Sequence, residues 1–193
     1  MFIQTEETPN PATLKFLPGI VVLPMGTYDV RRGDDASKSP LAMHLFEIQG
    51  VEAVFLGYDF ITVTKAADMP WPHLKPAVLG AVMEHFMAGQ PVMLENAVAT
   101  AAPAEEFFDE ADIEVVATIK ELLETRVRPA VAQDGGDITF HGFKNGTVYL
   151  NMRGACAGCP SSTATLKHGI QNLLRHFVPQ VQSVEAHGQM PGH

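Results

Sequence analysis

The sequence predicts an α+β protein: two small α/β domains joined by an acidic linker. Three observations carry that expectation. Residues 95–112, "ENAVATAAPAEEFFDEAD", contain no Lys or Arg and interrupt the apolar periodicity on either side. Before this stretch, helix-spaced and strand-like apolar patterns alternate within about one small domain's length. After it, a second set of helix and hairpin patterns repeats that mixture. The boundaries expected from these shifts are a domain over 1–94, a solvated linker over 95–112, a second domain over 113–187 and a tail over 188–193.

In the first half, "TLKFLPG" (13–19) predicts a strand that stops at Pro18-Gly19. "SPLAMHLFEIQG" (39–50) predicts a helix with Ser39 as its N-cap and Pro40 at its first position. Leu41, Leu45 and Ile48 share a face, and Gly50 offers a stop. "VEAVFL" and "FITVTK" predict two strands of a hairpin around "GYD". "WPHLKPAVLGAVMEHFMAGQP" predicts a helix whose Leu74, Val78, Val82 and Phe86 recur every fourth residue, with Pro76 marking its start and Gly89 and Pro91 its stop.

In the second half, Val116, Ile119, Leu123 and Val127 predict one face of a helix that ends before Pro129. Asp109, Asp112 and Glu114 suit the positive end of its dipole. "AQDGGD" predicts a turn, with Gly135 and Gly136 free to take positive φ and Asp134 and Asp137 as turn formers. "DITFHGF" and "TVYLNMR" then predict a hairpin around "KNG". A two-residue Asn-Gly turn pairs Phe143 with Val148 but sets Ile138 and Phe140 opposite Arg153 and Asn151. A three-residue loop sets Ile138 and Phe140 against Met152 and Leu150, giving one apolar face, and is the register expected. It leaves His141 on a solvated face beside Tyr149. A helix over about Pro160–Phe177 and a short strand "VQSVEA" complete the order helix–hairpin–CxxC loop–helix–strand.

The chain's 193 residues are 46% hydrophobic, enough for packed cores, and its longest conspicuous apolar run, "GIVVLP", is far too short to cross a membrane. With 13 Lys+Arg against 22 Asp+Glu the formal charge is −9, which disfavours nucleic acid, since phosphate affinity comes from basic side chains. The opening "MFIQTEETPNP" has two Glu and no Lys or Arg, unlike a secretory signal or a transit peptide, so a cytoplasmic location is expected.

The chemistry concentrates in "NMRGACAGCPSSTATLKHG" (151–169), which holds Cys156 and Cys159, the only two cysteines. Pro160 at the first helical position makes Cys159 the N-cap, where unpaired N–H groups and the dipole lower a thiol's pKa. The small residues Ala155, Ala157 and Gly158 leave backbone N–H groups open to a ligand, and Arg153 adds nearby positive charge. Three readings follow. Two thiolates are half of a four-thiolate metal or Fe–S site, completed by a second copy of the chain. Alternatively, the pair is a redox dithiol. This resembles thioredoxin in its strand–CxxC–helix order, but only about 34 residues follow the motif, too few for the rest of that fold. In the third reading the cysteines are inert.

The surrounding residues carry a resemblance. "VRPAVAQDGGDITF" and "VYLNMRGACAGCPSSTATLKHGI", in the order helix, DGGD, hairpin, GxCxGCPSS, helix, resemble the C-terminal domain of NifU as found in Nfu-type iron–sulfur cluster proteins. "FIQTEETPNPATLKFLPG" is similar to the Nfu N-terminal domain. The resemblance implies a scaffold or carrier, not an enzyme. Such a protein binds a [4Fe–4S] cluster between two subunits through Cys156 and Cys159, receives it from an upstream donor and passes it to apo iron–sulfur proteins. A thiol–disulfide oxidoreductase and a zinc-bridged structural dimer stand as alternatives.

Overall fold

The computed structural model describes residues 1–95, 106–157 and 160–187, with backbone alone at 160–162. The chain divides into two compact units, Met1–Ala102 and Pro103–His193. No helix among the described residues is long and apolar enough to cross a membrane.

The first unit is built on a five-stranded antiparallel sheet in the order β1-β2-β5-β4-β3, with β1 Gln4–Glu7, β2 Thr13–Leu17, β3 Tyr28–Arg31, β4 Val51–Leu56 and β5 Ile61–Lys65. The predicted strand at 13–17 and the predicted hairpin are its three central strands. The two edge strands escape a sequence reading because each is four residues long and mostly polar, "QTEE" and "YDVR". Helices α1 (Pro40–Phe46) and α2 (Trp71–Met87) contribute Leu41, Leu45, Leu74, Val78 and Val82 to one core with Phe16, Val54, Leu56, Ile61 and Val63.

The Ser39 hydroxyl accepts the Ala42 N–H at 3.1 Å and donates to the Val92 carbonyl at 2.6 Å, so the N-cap also ties down the segment after α2. Helix α1 ends at Phe46, and Gly50 at φ +100 turns the chain into β4 rather than capping the helix. Helix α2 starts at Trp71, with Pro76 inside it. Pro76 forfeits one i→i−4 hydrogen bond, to the Pro72 carbonyl, and the helix continues past it to Met87.

In the second unit α3 (Ile113–Leu122), a π-helical turn (Leu123–Val127) and α4 (Arg128–Gln133) run on from one another. The expected stop before Pro129 is therefore corrected. The helix widens into a π turn just ahead of Pro129, which stands in the first turn of α4, and the chain stays helical through it. Strands β6 (Gly136–Lys144) and β7 (Thr147–Gly154) form the hairpin, and α5 (Pro160–Phe177) carries the chain over to β8 (Ser183–His187), parallel to β7. Ile119, Leu123, Val127, Ile138, Leu150, Ile170, Leu174 and Val184 share one core.

The hairpin uses both registers weighed above. At the turn, Asn145 (φ 52) and Gly146 (φ 79) make a two-residue link that pairs Phe143 with Val148 and Lys144 with Thr147. The register then shifts between Phe140 and Gly142, so that Phe140 faces Leu150 and Ile138 faces Met152. The extra residue is His141. A bulge there keeps the preferred turn and the single apolar face together, which neither regular register does.

Within the expected linker, residues 106–112 are mostly exposed and make local backbone contacts with this unit. Phe107 bridges to Gly142, and Glu110–Asp112 form a 3-10 turn leading into α3. The expected tail and the middle of the expected linker lie outside the described residues.

Candidate functional site

The CxxC loop leaves β7 at Gly154, whose φ of +64 turns the chain back toward β6. The Ala155 N–H donates to the Gly135 carbonyl at 3.2 Å, and the Ala157 N–H to the Gly154 carbonyl at 3.1 Å. From the far side the Thr163 hydroxyl, on the second turn of α5, donates to the Cys156 carbonyl at 3.0 Å. Cys156 is thus held between the DGGD turn and the helix.

Its side chain points inward and is 5% exposed, part of the core that includes Ile138 and Ile170. The DGGD glycines make this seat in different ways. Gly135 takes φ +80, as expected. Gly136 does not need a positive φ; it needs the absence of a side chain. A Cβ there would lie 2.3 Å from Cys156 Sγ and 2.9 Å from the Arg153 carbonyl oxygen.

Burial pushes the Cys156 thiol up to about 12, and the charges of Asp134 and Asp137 push in the same direction. Cys156 is therefore a thiol here, so the expectation of a lowered pKa does not extend to it. That expectation concerned Cys159, which lies outside the described residues, as does its N-cap position. Among the described residues no three His, Cys, Asp or Glu side chains gather to hold a metal ion.

Asp137 was expected to form a turn and does more. It is 4% exposed and meets the Arg128 guanidinium with two bonds, Oδ1 to Nε at 2.8 Å and Oδ2 to Nη2 at 3.1 Å. Arg128 also donates to Glu124 Oε1 at 2.6 Å, and these partners hold its pKa above the ordinary arginine value, Asp137 foremost. Arg128 was not singled out from the sequence. Its signal was its place just before Pro129 and nine residues ahead of a buried acid. The pair anchors the start of β6, and so the seat of Cys156, to α4. Arg153 lies opposite Asp137 in the ladder, half-buried and three residues before Cys156.

Cys156 is a soft sulfur donor in a loop of small residues, seated inward where glycine leaves room for its sulfur.

A five-stranded unit followed by a helix–hairpin–CxxC–helix–strand unit defines a two-module protein of the Nfu/NifU type, and the chain belongs to that family. Residues 3–89 match the family described as "Scaffold protein Nfu/NifU N terminal", and residues 119–185 match the NifU-like domain. Relatives align along 96% of the chain. The "NFU1 iron-sulfur cluster scaffold homolog, mitochondrial" of Drosophila ananassae is 50% identical over 186 residues, 64% of its own length. "NifU-like protein 4, mitochondrial" of Arabidopsis thaliana is 51% identical over 187 residues, 65% of its own length. The chain thus spans a little under two thirds of these curated relatives. A solution structure of a NifU-like protein from Saccharomyces cerevisiae aligns with 49% of this chain and 85% of its own, at 27% identity and a TM-score of 0.45.

These relatives correct the cytoplasmic expectation, since both are named mitochondrial. That expectation rested on an acidic opening segment, and the composition of a folded body carries no address.

Proposed function

We propose that this chain is a non-catalytic iron–sulfur cluster scaffold and carrier, which holds a [4Fe–4S] cluster between two copies and passes it to apo-proteins. The observation that carries this reading is the placement of Cys156 and Cys159, the chain's only thiols, in the loop of a NifU-like domain. Two thiols per chain are half of the usual four-thiolate set, and a two-fold pairing of CxxC loops supplies the other half. The relatives named as iron–sulfur cluster scaffolds support the scaffold part of this reading. The first unit has no thiol, and its proposed role is to recruit donors or recipients, with the division into modules at 1–94 and 113–187.

The burial of Cys156 weighs against a dithiol oxidoreductase, in which an exposed, acidified thiol is the attacking group.

The test is anaerobic reconstitution with iron and sulfide, followed by iron, sulfide and mass measurements, with a parallel zinc titration. About four irons and four sulfides per two chains, with conversion from monomer to dimer, is the expected result. Cys156→Ala and Cys159→Ala should each abolish binding, because each removes two of four ligands. A single variant with full iron content, or a stable zinc dimer that takes up no cluster, overturns the reading.

A further inference from the structure

Residues 106–108, Glu-Phe-Phe, run along the edge of β6 at the His141 bulge. The Phe107 N–H donates to the His141 carbonyl at 3.2 Å, and the Phe107 carbonyl accepts the Phe143 N–H at 2.9 Å. This one-residue parallel bridge seats the Phe107 ring in space that Gly142 leaves empty, since a Cβ on Gly142 would lie 2.4 Å from the ring. The ring meets His141 edge to face at 5.3 Å between centroids and Tyr149 at 5.2 Å. His141 is stacked on His187, with centroids 3.7 Å apart and planes 25° apart. His141 Nδ1 is buried with no hydrogen-bond partner among the described residues.

We propose that residues 106–108 form a strap whose docking on the edge of β6 is released by protonation of the His141–His187 pair. Neutral imidazoles stack well at this distance. Two imidazolium rings so placed repel, and a proton on His141 Nδ1 has no acceptor where it lies. The titratable groups that face His141 are His187 from β8 and Glu106 from the strap itself, while Tyr149 of β7 meets the Phe107 ring. Glu106 opposes the effect by favouring a cation, but it is already paired with Lys120 of α3, which blunts its pull. Burial first and His187 second hold the basicity of His141 below the ordinary histidine value, with Glu106 acting the other way.

The sign follows. The docked strap favours neutral His141, so docking is complete above the ordinary histidine pKa and weakens as pH falls below it. Release frees residues 106–109, as far as the 3-10 turn before α3, which is four residues or roughly 13 Å of chain. It also bares the β6 edge at the Gly142 socket.

The experiment follows hydrogen exchange of the Phe143 amide in the full-length apo-protein, as protection factors corrected for intrinsic rates, at pH 7.5 and 5.5. Protection of Phe143 should fall at least tenfold at the lower pH, while that of Leu150 in the central strand stays within twofold. His141→Phe keeps a ring against Phe107 and His187 but cannot titrate, so its Phe143 protection should be unchanged between the two pH values. Gly142→Ala fills the socket and should leave Phe143 unprotected at both; where it does not fold, Phe107→Ala empties the socket and should do the same. Equal wild-type protection at both pH values overturns the proposal. So does a fall that persists in His141→Phe, or protection that survives eviction of the Phe107 ring. None of these readouts involves the cluster, so the strap and the carrier reading stand or fall separately.

Discussion

Gly136 and Cys156 are in such close contact that a single added carbon would collide: a Cβ at 136 would lie 2.3 Å from Cys156 Sγ. The glycine therefore decides where the thiol rests. In a Cys159→Ser background, Cys156 should react with an alkylating agent at pH 7.5 at least about a hundredfold more slowly than an exposed cysteine, because it is buried and protonated. Gly136→Ala should expel the sulfur and raise that rate at least about tenfold, at a stability cost of about 1–3 kcal/mol from overpacking. Equal rates in the two proteins would show that the seat does not govern the thiol.

Asp137 and Arg128 give a second prediction. The carboxylate is 4% exposed, and its two bonds fasten β6 to α4. Asp137→Ala leaves the guanidinium half-buried with only the more exposed Glu124, so the second unit should lose about 2–3 kcal/mol in urea unfolding. Asp137→Asn keeps one accepting oxygen and should lose less. If both variants unfold at the wild-type midpoint, the pair is not an anchor.

What the sequence revealed depended on whether one residue's neighbours in the chain were also its neighbours in the fold. The helix over 160–177, the Ser39 cap and the order of the second unit follow local rules, and they appear as expected. Two rules each gave half of the hairpin: Asn-Gly set the turn, apolar alternation set the strands, and only the His141 bulge reconciles them. The π turn at 123–127 was hidden because proline is read as a stop unless the helix can widen before it. Phe107 and Phe108 looked like linker because the socket that holds Phe107 lies some 35 residues further on, at Gly142. The cysteines themselves were plain, but the inward turn of Cys156 depends on Gly136 and Thr163, and spacing alone does not report it.

His85 makes the first unit sensitive to acid. It lies on α2, 1% exposed, and burial above all lowers its pKa from 6.5. The folded state thus holds it neutral while the unfolded chain binds a proton near pH 6.5. Unfolding then takes up a proton below that value, so stability is full above it and falls as pH drops through the window between 6.5 and the folded pKa. Urea midpoints of the first unit should decline from pH 7 to 5.5, and His85→Phe should flatten that slope. An unchanged slope in the variant would assign the acid sensitivity elsewhere.

The last prediction concerns transfer. A carrier must hold its cargo firmly enough to protect it and loosely enough to release it. In the proposed arrangement each chain offers two ligands from one loop, and Cys156 has a second resting place for its thiol, the seat beside Gly136. An incoming thiolate can displace one sulfur at a time, and the freed Cys156 can take a proton and return to the core without unfolding either unit. Release is therefore coupled to a favourable burial, and Gly136→Ala, which blocks that burial, should hold the cluster longer and transfer it more slowly. Arg153→Glu should act in the opposite sense, by placing a negative charge close to an anionic cluster. The measurement mixes cluster-loaded protein with an apo-[4Fe–4S] dehydratase and an iron chelator, and follows recovered activity. Recovery in the presence of chelator, faster than from free iron and sulfide, is expected, with the order Arg153→Glu, wild type, Gly136→Ala. If the chelator abolishes recovery, the iron travels through solution and the protein is not a carrier; if Gly136→Ala transfers as fast as wild type, the return of Cys156 to its seat plays no part in release.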